Sequence, residues 1–352
     1  MTDFFVLGDD GEILVIPETV ARGNDNEITV VARNAAASAP GPSTSRVQCT
    51  ALNDFIGREI EVLNEYALRS TVRLTNPGAM RRASRQITAQ PNLAGLYHTD
   101  WGAADPGHGR VQVDMEMITQ DSGWRVRNSI FVKSGEGLDA YFLPWDSRGG
   151  VVYMTLPRGD SGGPRHFFTA DLSGCSILVT GPPDNPTIWH GGVENWNNSG
   201  YADNHDGNVP ARDESPRLWG SLVEHLSGQA AGNITAIDKT DYINDFARAP
   251  NRPLKDLAGK LKGILPRRFR GEKPIFSGQT LEGTERSRAT EKALQKQEGK
   301  DASAVPFGSV FGLWDNDQGV WKLYLQENAT LTSSKDAPRN RTLRLRQFFP
   351  AQ

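Results

Sequence analysis

One segment of the chain combines residue types that carry out nucleophilic chemistry on a carbonyl group. Cys175 follows Ser173 and Gly174, and His190 comes fifteen residues later, beyond a proline-rich turn at 181–186. An imidazole next to a cysteine can accept the thiol proton and leave a nucleophilic thiolate. Gly174 allows an unusual φ and a close approach of a substrate, and the backbone amides of Ser173 and Gly174 can donate to a developing oxyanion.

A hairpin must bring the cysteine and the histidine together. The runs before and after the turn are predicted as strands because they are apolar and are bounded by Gly, Pro and Asn. If residues 178 and 187 close the hairpin, the numbers of paired residues sum to 365. Cys175 then lies directly opposite His190, with Cβ atoms ~4.5–5.5 Å apart. A slip of one residue would put the two side chains on opposite faces.

A structural interpretation of both residues is open at this point. A free cysteine beside Ile177, Leu178 and Val179 is also a typical small core residue, and a histidine after Trp189 is often a hydrogen-bonding group of the fold. Spacing alone does not decide between the two interpretations.

The segment resembles glutamine deamidases of the cytotoxic necrotizing factor and Burkholderia lethal factor type. The shared motifs are Leu-Pro-Trp at 143–145, Phe-Phe-Thr at 167–169, Leu-Ser-Gly-Cys at 172–175 and Trp-His at 189–190. The loop from the cysteine to the histidine is longer here than in the lethal factor. The resemblance is good over about residues 110–195; a looser one covers the C-terminal strands.

The resemblance implies both a site and a reaction. Cys175 matches the family nucleophile, His190 the general base, and Thr169 a third position that helps to orient the histidine. The implied reaction converts a glutamine side chain of a target protein to glutamate with loss of ammonia, and it needs no metal or cofactor. Family targets are a translation-initiation DEAD-box helicase and a Rho-family GTPase. The implied fold is a sandwich of mixed β-sheets flanked by helices.

A second enzyme class is suggested by the Gly-Asp-Ser-Gly-Gly-Pro sequence at 159–164, which is typical of the nucleophile segment of chymotrypsin-like serine proteases. That mechanism needs a histidine base and a buried aspartate, and in those proteases both precede the serine. His98 and His108 are the only earlier histidines, and neither has the sequence context of that base. A Gly/Pro/Asp/Ser cluster is also what a tight turn requires. The sequence around Ser161 thus favours a turn, but Ser161 remains the nucleophile of the alternative enzyme class.

The chain is predicted to be an α+β protein with an N-terminal extension and a basic helical insertion. Residues 1–95 form an accessory region with an Ala/Ser/Pro linker at 34–45, and residues 96–352 form the catalytic domain with the insertion at 251–300. Helices are predicted at 51–68, 217–228, 241–248 and 285–298, and a loop at 195–210. Strands are predicted at 12–16, 28–31, 111–115, 130–132, 141–145, 151–154, 176–179, 310–314, 320–325 and 342–345.

Composition limits the classes of partner. The net charge of −3 argues against a general nucleic-acid binder. Residues 251–300, however, hold 13 Lys/Arg against 6 Asp/Glu, so this segment has a net charge of +7 and the rest of the chain has a net charge of −10. Such a composition is typical of a solvated, partly disordered insertion, and the other interpretation is a docking surface for an acidic partner or RNA. A non-enzymatic binding module that uses this segment is the alternative to an enzyme.

Compartment and cofactors follow from what the sequence lacks. Two cysteines exclude a disulfide framework and a Cys-rich zinc site, and no apolar run approaches the ~20 residues of a membrane span. The first residues lack a basic and then apolar leader. We therefore expect a protein made in a bacterial cytoplasm without a Sec signal and, from the resemblance, secreted or delivered into another cell as a toxin or effector.

Overall fold

The computed structural model describes residues 4–7, 13–16, 55–72, 77–118, 128–194, 196, 199–210, 214–242, 303–332 and 339–351. The predicted linker at 34–45, the strand at 28–31, and the basic insertion with its helix at 285–298 lie outside these residues.

The fold is α+β and is built on two mixed sheets. The strands are β1 (Phe4–Leu7), β2 (Ile13–Ile16), β3 (Ala67–Thr71), β4 (Arg85–Gln86), β5 (Tyr97–Asp100), β6 (Arg110–Ile118), β7 (Ser129–Ser134), β8 (Leu138–Leu143), β9 (Gly150–Thr155), β10 (His166–Thr169), β11 (Ser176–Thr180), β12 (Thr187–Gly192), β13 (Thr235–Ile237), β14 (Ser303–Asp315), β15 (Val320–Thr332) and β16 (Arg339–Phe349). One sheet has eight strands in the order β16-β15-β14-β10-β8-β6-β7-β3, and the other has six in the order β13-β11-β12-β9-β5-β4. The strands β1 and β2 pair as a separate antiparallel hairpin.

Short helices connect the strands. They are α1 (Glu59–Glu65), α2 (Pro77–Ala83), α3 (Trp101–Ala104), α4 (Gly200–Asn204), α5 (Ser215–Ser227) and α6 (Lys239–Tyr242), with single 3₁₀ turns at Pro91–Leu93, Gly159–Ser161 and Ala231–Asn233. Within the described ranges, no helix combines the length and apolar character that a membrane span requires.

The main core lies between the two sheets. Strand residues alternate between faces, so every second side chain of each sheet enters the sandwich. The eight-stranded sheet contributes Leu143, Phe167, Val310 and Leu323, and the six-stranded sheet contributes Val152, Met154, Ile177 and Ile188. All eight are essentially inaccessible to solvent, so the interior of the sandwich is closely packed and apolar.

Helices cover the outer face of each sheet. Phe55, which precedes α1, and Leu63 of α1 pack on the outside of the eight-stranded sheet. Trp219, Leu222 and Val223 of α5 pack on the outside of the six-stranded sheet. The predicted sandwich of mixed sheets flanked by helices is therefore confirmed.

The predicted strands that fall on described residues are confirmed in position, and so is the helix at 217–228. The predicted helix at 51–68 is too long, because α1 ends at Glu65 and β3 begins two residues later. The predicted loop at 195–210 contains α4, which the Ser199 hydroxyl caps by accepting from the Ala202 amide. At 241–248 only the last two residues of α6 are described.

Part of the predicted accessory region is built into both sheets. The strand β3 pairs in parallel with β7 of the eight-stranded sheet, and β4 pairs with β5 of the six-stranded sheet. The predicted boundary at residue 95 therefore does not divide the described fold. The sequence gives no clear signal for these strands, because β3 ends in the polar residues Arg69–Thr71 and β4 is only two residues long.

Candidate active site

The hairpin of β11 and β12 carries Cys175 at its start and His190 near its end. Its register differs from the predicted one: Thr180 pairs with Thr187 and Ile177 pairs with His190, so paired numbers sum to 367 and not to 365. The prediction that Cys175 lies directly opposite His190 is therefore wrong. The residue that continues this register to Cys175 is Gly192.

The register is set at the closed end of the hairpin. The strand β11 extends two residues beyond the predicted closure, to Thr180, whose hydroxyl accepts a hydrogen bond from the Trp189 indole at 2.9 Å. Gly181 then starts the turn with a φ of +85°, a conformation that glycine adopts without steric cost. The Trp189–Thr180 hydrogen bond and Gly181 together favour a loop between β11 and β12 that is shorter than the predicted one.

A shift of two residues keeps the predicted face. Because side chains alternate with a period of two, Cys175 and His190 still project to the same side of the sheet, into the sandwich. They are now diagonal neighbours across the ladder, a relationship that places Cα atoms about 7–8 Å apart, within reach of a long or aromatic side chain. The hairpin brings together the two residues that the sequence singled out.

Two consecutive glycines follow the histidine and serve opposite faces of β12. A Cβ atom on Gly191 would come within 2.9 Å of the Trp219 ring on the outer face. A Cβ atom on Gly192 would come within 2.7 Å of Cys175 Sγ on the inner face. One glycine lets α5 pack closely, and the other lets the thiol lie over the strand that carries the histidine.

The His190 imidazole is held in an apolar environment. Its neighbours across the two ladders are Ile177 and Val152, the residue is 1% exposed, and neither ring nitrogen has a hydrogen-bond partner among the described residues. Burial lowers the pKa of His190 to about 3, because the protonated ring would lose its hydration. The imidazole is therefore neutral in this structure and has free acceptor capacity for a proton.

The Cys175 thiol is also buried and protonated. It is 8% exposed, and burial raises its pKa to about 12, an effect that the Ser173 backbone amide partly offsets by donating to the sulfur. Among the described residues it is a free cysteine. It makes no hydrogen bond to His190, so the thiolate–imidazolium pair is not formed in this closed arrangement.

Residues 172–175 are called the nucleophile turn here, after the role predicted for Cys175. Gly174 is the third residue of this turn. Its φ of +134° is one that residues with a side chain rarely adopt. The Gly174 amide, predicted as an oxyanion donor, instead donates to Tyr242 Oη at 3.0 Å. Of the two predicted donors, only the Ser173 amide points at the thiol.

Tyr242 is a site residue that the sequence analysis missed. Its hydroxyl donates to the Cys175 carbonyl at 2.6 Å and accepts from the Gly174 amide. It lies 67 residues after Cys175, beyond β13, and no motif marks it. Only the packing of α6 against the sandwich brings it to the nucleophile turn.

Thr169 lies at the end of β10 on the face that enters the sandwich. Its hydroxyl donates to the Ala170 carbonyl at 2.8 Å and lies 3.4 Å from the Val310 carbonyl. It forms no hydrogen bond to His190, whose ring nitrogens have no partner in the described structure. In this arrangement Thr169 stabilises the end of the strand and does not orient the histidine.

Ser161 lies in an exposed turn, and its hydroxyl makes a local hydrogen bond. Its hydroxyl donates to the Arg158 carbonyl at 2.5 Å, and Gly162 follows with a φ of +80°. All six histidines of the chain are described, and none forms a hydrogen bond to Ser161. The protease-like sequence is therefore used as a turn, and the geometry gives no support to the serine-protease alternative.

The described residues include no group of three or more His, Cys, Asp or Glu side chains arranged to bind a metal ion.

Comparisons with known proteins find little similarity. No protein-family model matches the chain, and no curated protein matches it. Seven chains of solved structures match, among them the C-terminal domain of CNFy from Yersinia pseudotuberculosis. That domain is 7% identical in sequence, with a TM-score of 0.30, and the match covers 68% of this chain and 71% of that chain. These values indicate only a loose similarity in shape.

Proposed function

We propose that this protein is a cysteine-dependent deamidase, which converts a glutamine side chain of a target protein to glutamate and releases ammonia. The observation that supports this most strongly is that Cys175 and His190 share one face of neighbouring strands, while both nitrogens of His190 are buried without a partner. Buried polar groups without partners are rare and are retained mainly where function requires them. The substrate class follows from the resemblance at Leu172–Cys175.

The first half of the proposed reaction forms a thioester. The Cys175 thiol gives its proton to His190, and the sulfur attacks the carbonyl carbon of the glutamine side-chain amide. The Ser173 amide, which already donates to the sulfur, stabilises the oxyanion. Protonated His190 passes the proton to the amide nitrogen, the carbon–nitrogen bond breaks, and ammonia leaves.

The second half regenerates the cysteine. Neutral His190 takes a proton from a water molecule, and the resulting hydroxide attacks the thioester carbonyl. The carbon–sulfur bond breaks, and the sulfur recovers a proton from His190. The product is a glutamate side chain. An amine in place of water would yield a transglutamination product by the same steps.

The reaction requires the site to open. With pKa values of about 12 for Cys175 and about 3 for His190, charge separation is strongly disfavoured while both groups are sealed inside the sandwich. Contact with the target protein must admit the glutamine side chain and some water, which brings both pKa values towards their ordinary range. We therefore propose that docking of the target activates the site.

The test is a search for deamidated glutamine in defined proteins and in a whole proteome. The full chain is incubated with a purified Rho-family GTPase, with a purified translation-initiation DEAD-box helicase, and with a eukaryotic cell lysate. Peptide mass spectrometry detects the increase of about 1 Da that accompanies each conversion. We expect the signal with the wild-type chain and none with Cys175→Ser or His190→Ala.

Cys49→Ser provides the matched control, because it removes the other cysteine and should leave the deamidation rate unchanged. Activity of the Cys175→Ser variant, or no deamidation by the wild-type chain in any of the three samples, would contradict the proposed function.

The target and its location are also proposals. The +7 charge of residues 251–300 suits an acidic surface on the target protein. We propose that this segment contributes to substrate selection and that the chain meets its target after delivery into another cell.

A further inference from the structure

A single tyrosine hydroxyl joins two peptide groups near Cys175: the Ser173–Gly174 peptide before it and the Cys175–Ser176 peptide that follows it. Tyr242 Oη accepts a hydrogen bond from the Gly174 amide at 3.0 Å and donates one to the Cys175 carbonyl at 2.6 Å. The tyrosine is fully buried. Burial also raises the pKa of Tyr242 well above its usual value, so the hydroxyl keeps the proton that it donates.

The fold makes room for this ring at one position of β14. A Cβ atom on Gly308 would come within 2.8 Å of Tyr242 Cγ, and the three nearest atoms to that position all belong to Tyr242. Gly308 also exchanges two backbone hydrogen bonds with Leu172, at 2.8 and 2.9 Å. One residue of β14 therefore holds the start of the nucleophile turn and accommodates the ring that binds its end.

The helix that carries Tyr242 is itself fixed to the eight-stranded sheet. Asp241 forms an ion pair with Arg346 of β16 at 2.9 Å, and the other oxygen of the same carboxylate accepts the Asp238 amide at 3.0 Å. Tyr242 therefore links the eight-stranded sheet to the nucleophile turn, which leads into β11 of the six-stranded sheet.

We propose that Tyr242 is a positioning residue for Cys175: by bridging Gly174 and Cys175 it holds the turn in the conformation that directs the Ser173 amide and the thiol to the same point. The inference rests on the proposed function, in which Cys175 is the nucleophile. Tyr242 does not touch the reacting atoms in this proposal and acts only through the turn. Without the hydroxyl, a partly buried amide and a buried carbonyl lose this hydrogen-bond partner, and their hydration favours opening of the turn to water.

The test uses iodoacetamide as a probe of the Cys175 thiol and needs no knowledge of the target protein. In the Tyr242→Phe variant we expect alkylation at about pH 8.5 to become about tenfold faster, because opening of the turn exposes the thiol and relieves the burial that raises its pKa. The midpoint of the alkylation rate against pH should also shift downwards. Peptide-resolved mass spectrometry separates Cys175 from Cys49.

Tyr141→Phe is the matched control. Tyr141 is buried in the same core between the sheets, and its hydroxyl bonds to Arg110 and not to the nucleophile turn. We expect its alkylation rate to equal that of the wild-type chain, while its thermal midpoint changes about as much as that of Tyr242→Phe. A loss of stability alone would accelerate alkylation in both variants.

Gly308→Ala tests the same contact from the other side. The added methyl group should displace the Tyr242 ring and reproduce the alkylation phenotype, and the double variant Gly308→Ala/Tyr242→Phe should be no faster than the faster single variant. If Tyr242→Phe does not fold, Gly308→Ala carries the test alone. On any deamidation substrate, kcat should fall about 100-fold with little change in KM, because the nucleophile is misplaced while the surface that binds the target is intact.

Wild-type alkylation rates and pH midpoints in Tyr242→Phe and Gly308→Ala would overturn the positioning role, even if deamidation depends on Cys175. Conversely, deamidation by Cys175→Ser would overturn the proposed function, whereas a faster alkylation of Tyr242→Phe would still establish the structural bridge. The two failures are therefore distinguishable.

Discussion

The thiol of Cys175 lies directly over Gly192 of the neighbouring strand, at a place where any side chain would collide with it. A Cβ atom on Gly192 would come within 2.7 Å of Sγ and 3.4 Å of Cys175 Cβ. Because Gly192 follows His190 by two residues, it occupies the adjacent position on the same face of β12. The missing side chain is what allows the thiol to lie over β12, the strand that carries His190.

Gly192→Ala should therefore displace the nucleophile. We expect the rate of deamidation to fall about 100-fold, since a displacement of about 1 Å in a reacting group has effects of this size. Ammonia release measures the rate. Gly220→Ala in α5 is the matched control: no atom lies within 4 Å of the added methyl group, so activity should be unchanged and stability should rise by about 0.5–1 kcal/mol. Full activity of Gly192→Ala would show that the thiol does not act from this position.

His190→Leu should stabilise the protein while it abolishes activity. Both imidazole nitrogens are buried without a partner, and such groups cost about 1–3 kcal/mol each when they are left unpaired. Leucine has a similar volume and no polar atoms, so we expect the free energy of unfolding to rise by about 1–2 kcal/mol in urea at pH 7.5. His205→Leu is the comparison, because His205 bonds to the Ala94 carbonyl and stacks on Tyr201. That change should destabilise the protein; a loss of stability in His190→Leu would contradict the prediction.

The low pKa of His190 predicts a loss of stability in acid. The folded protein takes up this proton only near pH 3, whereas the unfolded chain takes it up near 6.5. Between these values the unfolded state binds more protons, so the free energy of unfolding falls as the pH falls, by about 1.4 kcal/mol per pH unit from this group. Urea denaturation of the wild-type chain and of His190→Leu between about pH 4 and 8 isolates the contribution. Parallel pH profiles would show that His190 titrates normally in the fold.

Ser161→Ala should leave deamidation unchanged. The serine hydroxyl donates to the Arg158 carbonyl within an exposed turn, so its removal should cost about 1 kcal/mol of stability or less. The measurement is ammonia release beside Cys175→Ser, which should be inactive. The reverse pattern, an inactive Ser161→Ala and an active Cys175→Ser, would restore the serine nucleophile.

Gln326→Leu should unfold or strongly destabilise the protein. Gln326 of β15 is fully buried. Its side-chain oxygen accepts a hydrogen bond from the Leu68 backbone amide at 2.7 Å. Its side-chain nitrogen donates to the carbonyls of Leu63 and Tyr66 at 2.6 and 2.8 Å. Leucine would leave these backbone groups unpaired, at a cost of about 3 kcal/mol or more. The exposed Gln318→Leu should change the free energy of unfolding by about 0.5 kcal/mol or less. Equal stability of the two variants would exclude this role for Gln326.

Much of the fold could be predicted because its signals are local. Alternating apolar residues in β6 and the apolar runs of β9, β11 and β15 indicate strands without knowledge of their partners. The short strand β3 could not be found in this way, because its stability comes from pairing with β7 and from the hydrogen bond between Leu68 and Gln326. Its existence depends on residues far away in the chain.

For the site, the order of residues along the chain was enough to identify Cys175 and His190, the turn between their strands, and a shared face for the two side chains in any register of the predicted parity. The period of two in a strand guarantees that face. The register, the burial of both groups, and the hydrogen bond of Tyr242 to the nucleophile turn depend on the packing of the folded chain and could not be predicted in this way. The difference is one of distance along the chain, because strand alternation acts between neighbours, whereas desolvation and side-chain contacts arise only when α6, β12 and β14 pack around the same turn.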